Sequence, residues 1–383
     1  MRDLTDAAAT LERFSTLTGW AEAVCAAGAS RVTVHQRFPS NADVERNGVT
    51  YRFRVDGGRR QPGWSSRSAG ALHAAVRQSE PDIVHVNGLL FPEFLRSLRQ
   101  VLPPEAALVV QDHGGFDVGA ASLLKRMWLR RGIAGCDAVL VASPGQGEEL
   151  RESRVVAPHV LVADVMESST SLRPEPRDTA QHSVGMHGSP SLLWVGRLNE
   201  NKDPLTVLRG FTSWLRVRPL ATLTMVFHDG HLEAAVREVV NTSPVLRGRV
   251  SLVGAVAHEQ LARYYSAADL FVLGSHHEGS GYAAIEALAC GAVPVVTNIA
   301  PFRALTSDGA VGALWEAGNA ASLQVALERV LSRDQRSERA AGVKLFETAF
   351  SWPRIGERAL AIYREVISTR AARRSAAPIR RQT

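Results

Sequence analysis

Leu270-Phe271-Val272-Leu273-Gly274-Ser275-His276-His277-Glu278-Gly279-Ser280-Gly281-Tyr282, running on through Glu286 to Cys290-Gly291-Ala292-Val293-Pro294-Val295-Val296, is the stretch that decides the fold. A short apolar run ending in glycine reads as a buried strand. A Gly-Ser-Gly turn follows it. A helix starts near Gly281 and stops at Gly291, a residue suited to the position just past a helix end. A second apolar strand then opens near Pro294. Strand, turn, helix, strand in this order is one unit of a parallel sheet. Glycines at a helix start let backbone N–H groups approach an anion, and the helix dipole favours negative charge there. Glu278 sits just before that start, and Glu286 lies two turns in.

A second stretch has the same grammar: Leu192-Leu193-Trp194-Val195-Gly196-Arg197-Leu198-Asn199-Glu200-Asn201-Lys202-Asp203-Pro204. The strand ends at Gly196, and Arg197 and Lys202 lie on the loop before the next helix. Two cations at the carboxyl end of a strand can neutralise a diphosphate. Lys202 stands out because the only other lysines are Lys125 and Lys344. Read singly, the glutamates are solvated helix-face side chains and the cations are exposed loop charges. The strand–EGxG–helix context and the joint presence of both stretches favour a phosphate-bearing ligand.

Alternation of short apolar runs with amphipathic stretches extends over the chain. Strands are expected at Arg31–His35, Ile83–Val86, Ala107–Val110, Ala138–Val141 and Val160–Val162. A helix-like stretch, Ala7 to Ala27, precedes the first of them. After residues 168–190, rich in Pro, Gly and Ser and lacking an apolar period, alternation restarts with strands at Leu192–Val195, Thr222–Phe227, Val250–Val253, Leu270–Leu273 and Val293–Val296. The pattern predicts two doubly wound α/β domains, 1–167 and 191–350, joined by a linker at 168–190 and facing across a ligand cleft. A C-terminal helix is expected over 351–368 and a basic disordered tail over 369–383.

Composition narrows the function classes. The chain has 383 residues, 45% hydrophobic and 21% charged, which excludes disorder as the main state. The net charge of +6 invites a nucleic-acid reading, yet the last stretch holds Arg370, Arg373, Arg374, Arg380 and Arg381 without an acid, and subtracting those five leaves +1. Nothing then favours a nucleic-acid partner. A solvated tail further predicts that its removal leaves activity intact. No apolar run approaches the roughly 18 residues of a membrane span. Cys25, Cys136 and Cys290 are far apart and odd in number, which fits a reducing cytoplasm and suggests neither a disulfide framework nor a metal site.

The motifs Gly196-Arg197-Leu198 with Lys202, and Glu278 with Glu286 in an E-x7-E arrangement, resemble glycosyltransferase family 4, retaining enzymes of the GT-B fold that use nucleotide-activated sugars. Asp137-Ala138-Val139-Leu140-Val141-Ala142-Ser143 resembles the family's strand before the inter-domain crossing. Phe350-Ser351-Trp352 and the helix after it resemble the C-terminal helix that returns to the first domain. The resemblance implies that Arg197 and Lys202 bind the donor diphosphate, that Glu286 holds the ribose and that Glu278 contacts the donor sugar. It implies that the amides of Gly279, Ser280, Gly281 and Tyr282 cradle sugar and phosphate. His113, within Val109-Val110-Gln111-Asp112-His113-Gly114-Gly115, matches the first-domain histidine that reaches the donor sugar; its other reading is a helix-capping or buried loop histidine. Gly254-Ala255-Val256 lies where the family's base-binding backbone sits. With no Asp-x-Asp triplet present, no metal is expected, and the nucleotide-diphosphate sugar is a co-substrate in place of a cofactor.

The chain also departs from the family. Members begin with a strand and a glycine-rich loop, where this sequence has the helix-like Ala7–Ala27, and Thr10-Leu11-Glu12-Arg13 stands at the loop's place. Either the start lies downstream of the family's or the phosphate site is altered. Asn87 stands where many members have a second histidine, and His228-Asp229-Gly230 replaces a glycine-led turn. The expected acceptor is a small molecule or glycan, in antibiotic or secondary-metabolite or cell-envelope glycan assembly. The alternatives are a non-catalytic sugar-nucleotide-binding scaffold, and another enzyme of this fold such as a sugar phosphorylase or nucleotide-sugar epimerase. The basic helix Leu123–Arg131 is read as packing its apolar side into the core; weak peripheral membrane contact is the minority reading.

Overall fold

The computed structural model describes residues 6–13, 15–55, 70–89, 92–113 and 121–376. The chain divides into two units, Met1–Ser168 with Trp352–Thr383, and Ser169–Ser351. The first opens with helices α1 (Ala7–Arg13) and α2 (Ser15–Ala26), then strands β1 (Val32–Arg37), β2 (Ala42–Arg46) and β3 (Val49–Arg54). Helix α3 (Gly70–Gln78), strand β4 (Ile83–Asn87), helix α4 (Pro92–Val101), strand β5 (Ala107–Gln111), helix α5 (Leu123–Ile133), strand β6 (Ala138–Val141), helix α6 (Pro144–Glu152) and strand β7 (Leu161–Asp164) follow.

Strands β4-β5-β6-β7 make a parallel sheet in that order. Every residue of β5 and β6 is buried, as expected of strands covered on both faces. Leu95, Leu98, Leu129 and Ile133 from α4 and α5 pack over Leu108, Val110 and Val139. Strands β1, β3 and β2 make a separate three-stranded sheet, in which β3 pairs parallel with β1 and antiparallel with β2. The β2–β3 hairpin, absent from the sequence reading, turns on Asn47 and Gly48, whose φ values of 48° and 78° are those of a type I′ turn.

The second unit comprises α7 (Arg177–Val184), β8 (Ser191–Gly196), α8 (Pro204–Trp214), β9 (Thr222–Phe227), α9 (Glu233–Thr242), β10 (Val250–Gly254), α10 (Leu261–Ala267), β11 (Leu270–Leu273), α11 (Tyr282–Cys290), β12 (Val293–Thr297), α12 (Ala300–Leu305), β13 (Ala313–Trp315), α13 (Ala320–Leu331) and α14 (Gln335–Leu345). Its sheet is parallel throughout, in the order β10-β9-β8-β11-β12-β13. From β8 the chain winds outward through β9 to β10. It then returns to the other side of β8 at β11 and winds the opposite way. The carboxyl ends of β8 and β11 therefore flank the topological switch point, where ligands of such sheets bind. Trp194, Trp214 and Trp315 are fully buried around this sheet, each worth about 2–3 kcal/mol of apolar burial.

Residues 168–190, expected to be a linker, carry α7 and from Ser169 on belong to the second unit. Gln181 Nε2 donates to the Ala267 carbonyl at 3.1 Å, and Arg177 pairs with Asp269. Only Ala180 of α7 is buried, so the helix leaves no apolar period to read. Elements α12, β13 and α14 add to the sequence reading. Helix α15 (Trp352–Ala376) then rejoins the first unit and packs on α2. Glycines allow that approach: a Cβ on Gly19 would lie 2.2 Å from the Trp352 ring, and one on Gly356 2.2 Å from the Ala23 carbonyl oxygen. Residues 369–376 are thus helical and not a disordered tail; Arg380 and Arg381 lie outside the described residues. Thr10–Arg13 form the end of α1 and not a phosphate-facing loop.

Candidate functional site

The loop after β8 is shaped by its own sequence. Asn199 caps a short 3₁₀ turn, Glu200–Lys202, by accepting from the Lys202 amide at 3.0 Å. Asp203, at φ 40°, caps α8 by accepting from the Thr206 amide at 3.1 Å, and Pro204 occupies the first helical position. This fixes where Lys202 leaves the backbone. The loop after β11 is stitched to it. The Asn201 carbonyl accepts from the His276 amide at 2.8 Å. The Asn201 side chain accepts from the His277 amide at 2.9 Å and donates to the His277 carbonyl at 2.9 Å. His276 Nε2 lies 3.2 Å from Asp203 Oδ2. A Cβ on Gly274 would come within 3.1 Å of the Lys202 and Asp203 carbonyls, so glycine lets the two loops meet.

Lys202 and Glu278 meet across this seam as an ion pair, and Ser275 Oγ donates to Glu278 Oε1 at 2.6 Å. Both charges are largely buried, with 20% and 11% of their side chains exposed. Arg197 differs: its side chain is 75% exposed, and its nearest acid, Asp229, is 3.8 Å away. The turn at His228-Asp229-Gly230 is fastened to the same loop, since Leu198 donates to the Asp229 carbonyl at 3.1 Å and Leu232 to the Leu198 carbonyl at 3.0 Å. Gly230 lies so close that a Cβ would sit 2.1 Å from the Leu198 oxygen.

Helix α11 begins at Gly281, which is left-handed at φ 72° and carries no side-chain cap. A Cβ there would lie 2.6 Å from the fully buried Phe302 ring. Ser280, between Gly279 and Gly281, is buried, and because α11 starts at Tyr282 its positive dipole end lies at the loop that carries Glu278. One turn further in, Glu286 is 2% exposed and accepts from Tyr265 Oη at 2.9 Å and from His258 Nε2 at 2.5 Å. The Glu286 hydrogen bond holds the His258 pKa above the ordinary histidine value against the opposing effect of burial. Burial, reinforced by Glu286, pushes the Tyr265 phenol well up. His258 also stacks on Tyr282 at 6.1 Å between ring centres. It is the fourth residue past β10, just beyond Gly254, Ala255 and Val256, and so ties the chain that follows that expected base-binding segment to α11.

The sequence-assigned residues of the second unit thus fall at the carboxyl ends of β8, β10 and β11. Lys202 and Ser275 each contact Glu278, Glu286 sits deeper on α11, and Gly196 ends β8. A Cβ on Gly196 would lie 3.2 Å from the Trp194 ring and 3.6 Å from Lys202 Cγ. His258, Tyr265, Asn201 and Asp203 were not singled out in the sequence. The usable signal was His258 at a strand's carboxyl end, close behind Gly254.

His113 lies in the first unit, just past β5. Its Nδ1 pairs with Glu167 and its Nε2 meets Asn87 Oδ1. Asn87 ends β4, and Glu167 follows β7 with 8% of its side chain exposed. Burial opposes charge on His113, but the Glu167 hydrogen bond and carboxylate outweigh it and raise the pKa. Behind it, burial and the neighbouring His113 lower the His85 pKa to about 3. His85 Nδ1 shares a 2.5 Å hydrogen bond with Tyr363 of α15, which also accepts from Trp20 at 2.9 Å. Gly114 and Gly115 lie outside the described residues. Among the described residues no three His, Cys, Asp or Glu side chains group as metal ligands, and no helix is long and apolar enough to cross a membrane.

Comparison with known proteins identifies the family. Residues 189–333 match the family model described as glycosyl transferases group 1, and residues 18–162 match that of glycosyltransferase family 4. Over 246 residues the chain is 29% identical to a GDP-mannose:cellobiosyl-diphosphopolyprenol alpha-mannosyltransferase of Xanthomonas oryzae pv. oryzae, covering 63% of this chain and 61% of that relative. Over 198 residues it is 30% identical to a D-inositol 3-phosphate glycosyltransferase of Geodermatophilus obscurus, covering 50% and 44%. The match thus spans less than two thirds of either relative's length. The sucrose-phosphate synthase structure from Thermosynechococcus elongatus has the same fold, with a TM-score of 0.70 at 22% identity over 91% of this chain and 92% of that one. The architecture is GT-B, two Rossmann-like α/β units. With one family model on each unit, the chain belongs to the group 1 glycosyltransferases of family 4.

Proposed function

We propose that the protein is a retaining glycosyltransferase that moves a sugar from a nucleotide diphosphate to an acceptor hydroxyl. The observation that carries this is the meeting of Lys202, Glu278 and the amino end of α11 at the switch point between β8 and β11. In this reading the donor diphosphate lies against Arg197, Lys202 and the first amides of α11. Glu286 accepts the ribose hydroxyls, Gly254–Val256 face the base and Glu278 holds the sugar; for His113 the family resemblance alone supports a role toward the sugar.

The chemistry follows from charge. As the bond from the anomeric carbon to the diphosphate oxygen breaks, negative charge grows on the leaving oxygens and the sugar becomes oxocarbenium-like. Fixed cations and helix-end amides stabilise that charge without reorganising. Family resemblance supports retention, with the acceptor oxygen attacking on the leaving-group face and its proton passing to a phosphate oxygen. The proposal assigns no step to a metal, because Arg197, Lys202 and α11 supply the positive charge. Its setting is cytoplasmic, in antibiotic, secondary-metabolite or cell-envelope glycan assembly. The named relatives act on a cellobiosyl-diphosphopolyprenol and on an inositol phosphate, so both lipid-linked and soluble acceptors belong in the search.

The test is a panel of nucleotide sugars with both acceptor types, read by nucleotide release and by proton NMR of the new linkage. Release of one nucleoside diphosphate with a product of the donor's anomeric configuration is expected. An inverted product overturns the retaining assignment. Donor binding with no turnover favours a non-catalytic scaffold; phosphate-dependent turnover or acceptor-free epimerisation favours the other enzyme classes.

A further inference from the structure

Strand β7 closes one side of the β4–β7 sheet, and among the described residues no strand pairs with its outer edge. The Leu161 amide donates inward to the Asp137 carbonyl at 3.0 Å, and the Val165 amide to the Val141 carbonyl at 2.8 Å. Val162, of opposite phase, therefore turns its amide and carbonyl outward. Arg151 Nη2, on α6, donates to that Val162 carbonyl at 2.8 Å. Arg373 Nη2, on α15, donates to the His159 carbonyl at 2.7 Å. A cavity of about 370 Å³ lies between this edge, the end of α6 and the last turns of α15. That volume falls within the range of small-molecule sites. Glu365, Thr369 and Arg373 line it from one face of α15 at four-residue spacing.

The charges of this cavity are not all matched. Arg370 is committed to Asp137 and to the Pro104 carbonyl. Arg151 and Arg373 enter no ion pair among the described residues. Each holds one nitrogen on a backbone carbonyl, which orients the guanidinium and leaves further N–H donors for a ligand. The outward Val162 amide and the Thr369 hydroxyl line the same space. Two oriented guanidiniums beside a free backbone amide match a phosphate dianion. Glu365 has the opposite sign and likewise enters no ion pair among the described residues. A carboxylate only accepts, so it suits hydroxyl donors carried by the same ligand. The cavity also lies at the amino ends of β6 and β7, where Asp137 precedes one strand and Leu161 opens the other. His113 lies past the carboxyl end of β5, at the opposite edge of the sheet.

We propose that this cavity is a second ligand site, for a small polyol phosphate. Arg151, Arg373 and the Val162 amide hold the phosphate, and Glu365 accepts from the polyol hydroxyls. A ligand there joins the last turns of α15 to the edge of β7 and so stabilises the first unit. This inference stands apart from the donor site and does not depend on it.

Calorimetric titration of the full chain with glucose 6-phosphate, inorganic phosphate and glucose tests it, with thermal unfolding alongside. Glucose 6-phosphate should bind about tenfold or more tightly than inorganic phosphate and raise the Tm, and glucose should not bind. Arg151→Gln/Arg373→Gln should weaken glucose 6-phosphate binding about tenfold or more. Glu365→Gln should weaken glucose 6-phosphate and not inorganic phosphate. Arg197→Ala/Lys202→Ala, in the other unit, should leave both affinities unchanged. Circular dichroism checks the fold of each variant, and Thr369→Val, which removes no backbone contact, should weaken binding where the arginine variant fails to fold. Absence of binding by both phosphate compounds to the unaltered chain overturns the proposal. So does unchanged affinity in the folded arginine variant or, where that variant fails to fold, in Thr369→Val. Loss confined to the Arg197/Lys202 variant overturns it as well, because the phosphate then sits on the donor loops. Equal affinity for the two phosphate compounds overturns the polyol assignment.

Discussion

Lys202 and Glu278, on the loops that follow two neighbouring strands of one sheet, neutralise each other as a largely buried ion pair. The side chains that sequence motifs assign to a phosphate and to a sugar are therefore one electrostatic unit. Under the proposed function, an arriving diphosphate would compete with Glu278 for the Lys202 ammonium, and the sugar hydroxyls would offer Glu278 new donors in exchange. Ser275 keeps the carboxylate in place meanwhile.

Replacing Glu278 with Ala should lower transfer by about a hundredfold or more while leaving the protein folded and the nucleoside diphosphate bound. Steady-state transfer kinetics beside a calorimetric nucleotide titration make the comparison. Transfer at the unaltered rate would remove Glu278 from the site.

Glu286 and His258 give a pH signature. The His258 pKa is raised in the folded chain by its hydrogen bond to Glu286, so its contribution to stability is full below the unfolded histidine value. That contribution is lost as pH rises through the raised folded value. Unfolding free energy, followed by denaturant titration from mildly acidic to mildly alkaline pH, should fall across that window. In Glu286→Gln the fall should flatten, and nucleotide affinity should drop by about tenfold. An identical pH slope in the variant would contradict the assignment.

How much of this was legible in the sequence follows from which forces leave a local trace. The β8 and β11 loops were readable because a buried strand, a glycine-bearing turn and a helix start are consecutive signals, and the sheet topology then brings them together. The β2–β3 hairpin left a trace too, in Asn47-Gly48, but its strands alternate charged and apolar residues and stand outside the βα rhythm. Helix α7 left almost none, because its hold on the domain runs through polar side chains such as Gln181. For α5 the composition was plain but the inward sector was not: Leu123, Leu124 and Met127, expected in the core, are exposed, and the contact of Gly132 with Pro92, distant in sequence, decides it. The partners of His113 and Glu286, namely Glu167, Asn87, His258 and Tyr265, are long-range contacts that one strand's sequence cannot display.

His113 owes its raised pKa to Glu167 working against burial. In Glu167→Gln burial should prevail, and the His113 titration, followed by NMR, should shift to lower pH. The same shift is expected in the alkaline limb of the transfer profile, where the imidazolium is lost. A titration midpoint that does not move would show that Glu167 does not set the charge of His113.

Arg370 anchors the end of α15. It bonds Asp137 at 2.6 Å and the Pro104 carbonyl at 3.0 and 2.8 Å, and the Arg370–Asp137 pair is 20% and 10% exposed. Arg370→Ala should destabilise the chain by about 1–3 kcal/mol in denaturant titration, with nucleotide affinity unchanged. Removal of Thr369–Thr383, harmless if that stretch were a solvated tail, should cost at least as much. Unaltered stability in both would return these residues to a passive role.

The central claim is that the loops after β8 and β11 form a nucleotide-diphosphate site. Calorimetric titration of the full chain with UDP, GDP, ADP and dTDP, beside Arg197→Ala/Lys202→Ala, tests it most directly. The expected result is binding of one nucleotide in the micromolar range, weakened by about a hundredfold or more in the double variant. Equal binding by the unaltered chain and the double variant, or binding of none of the four, would contradict it.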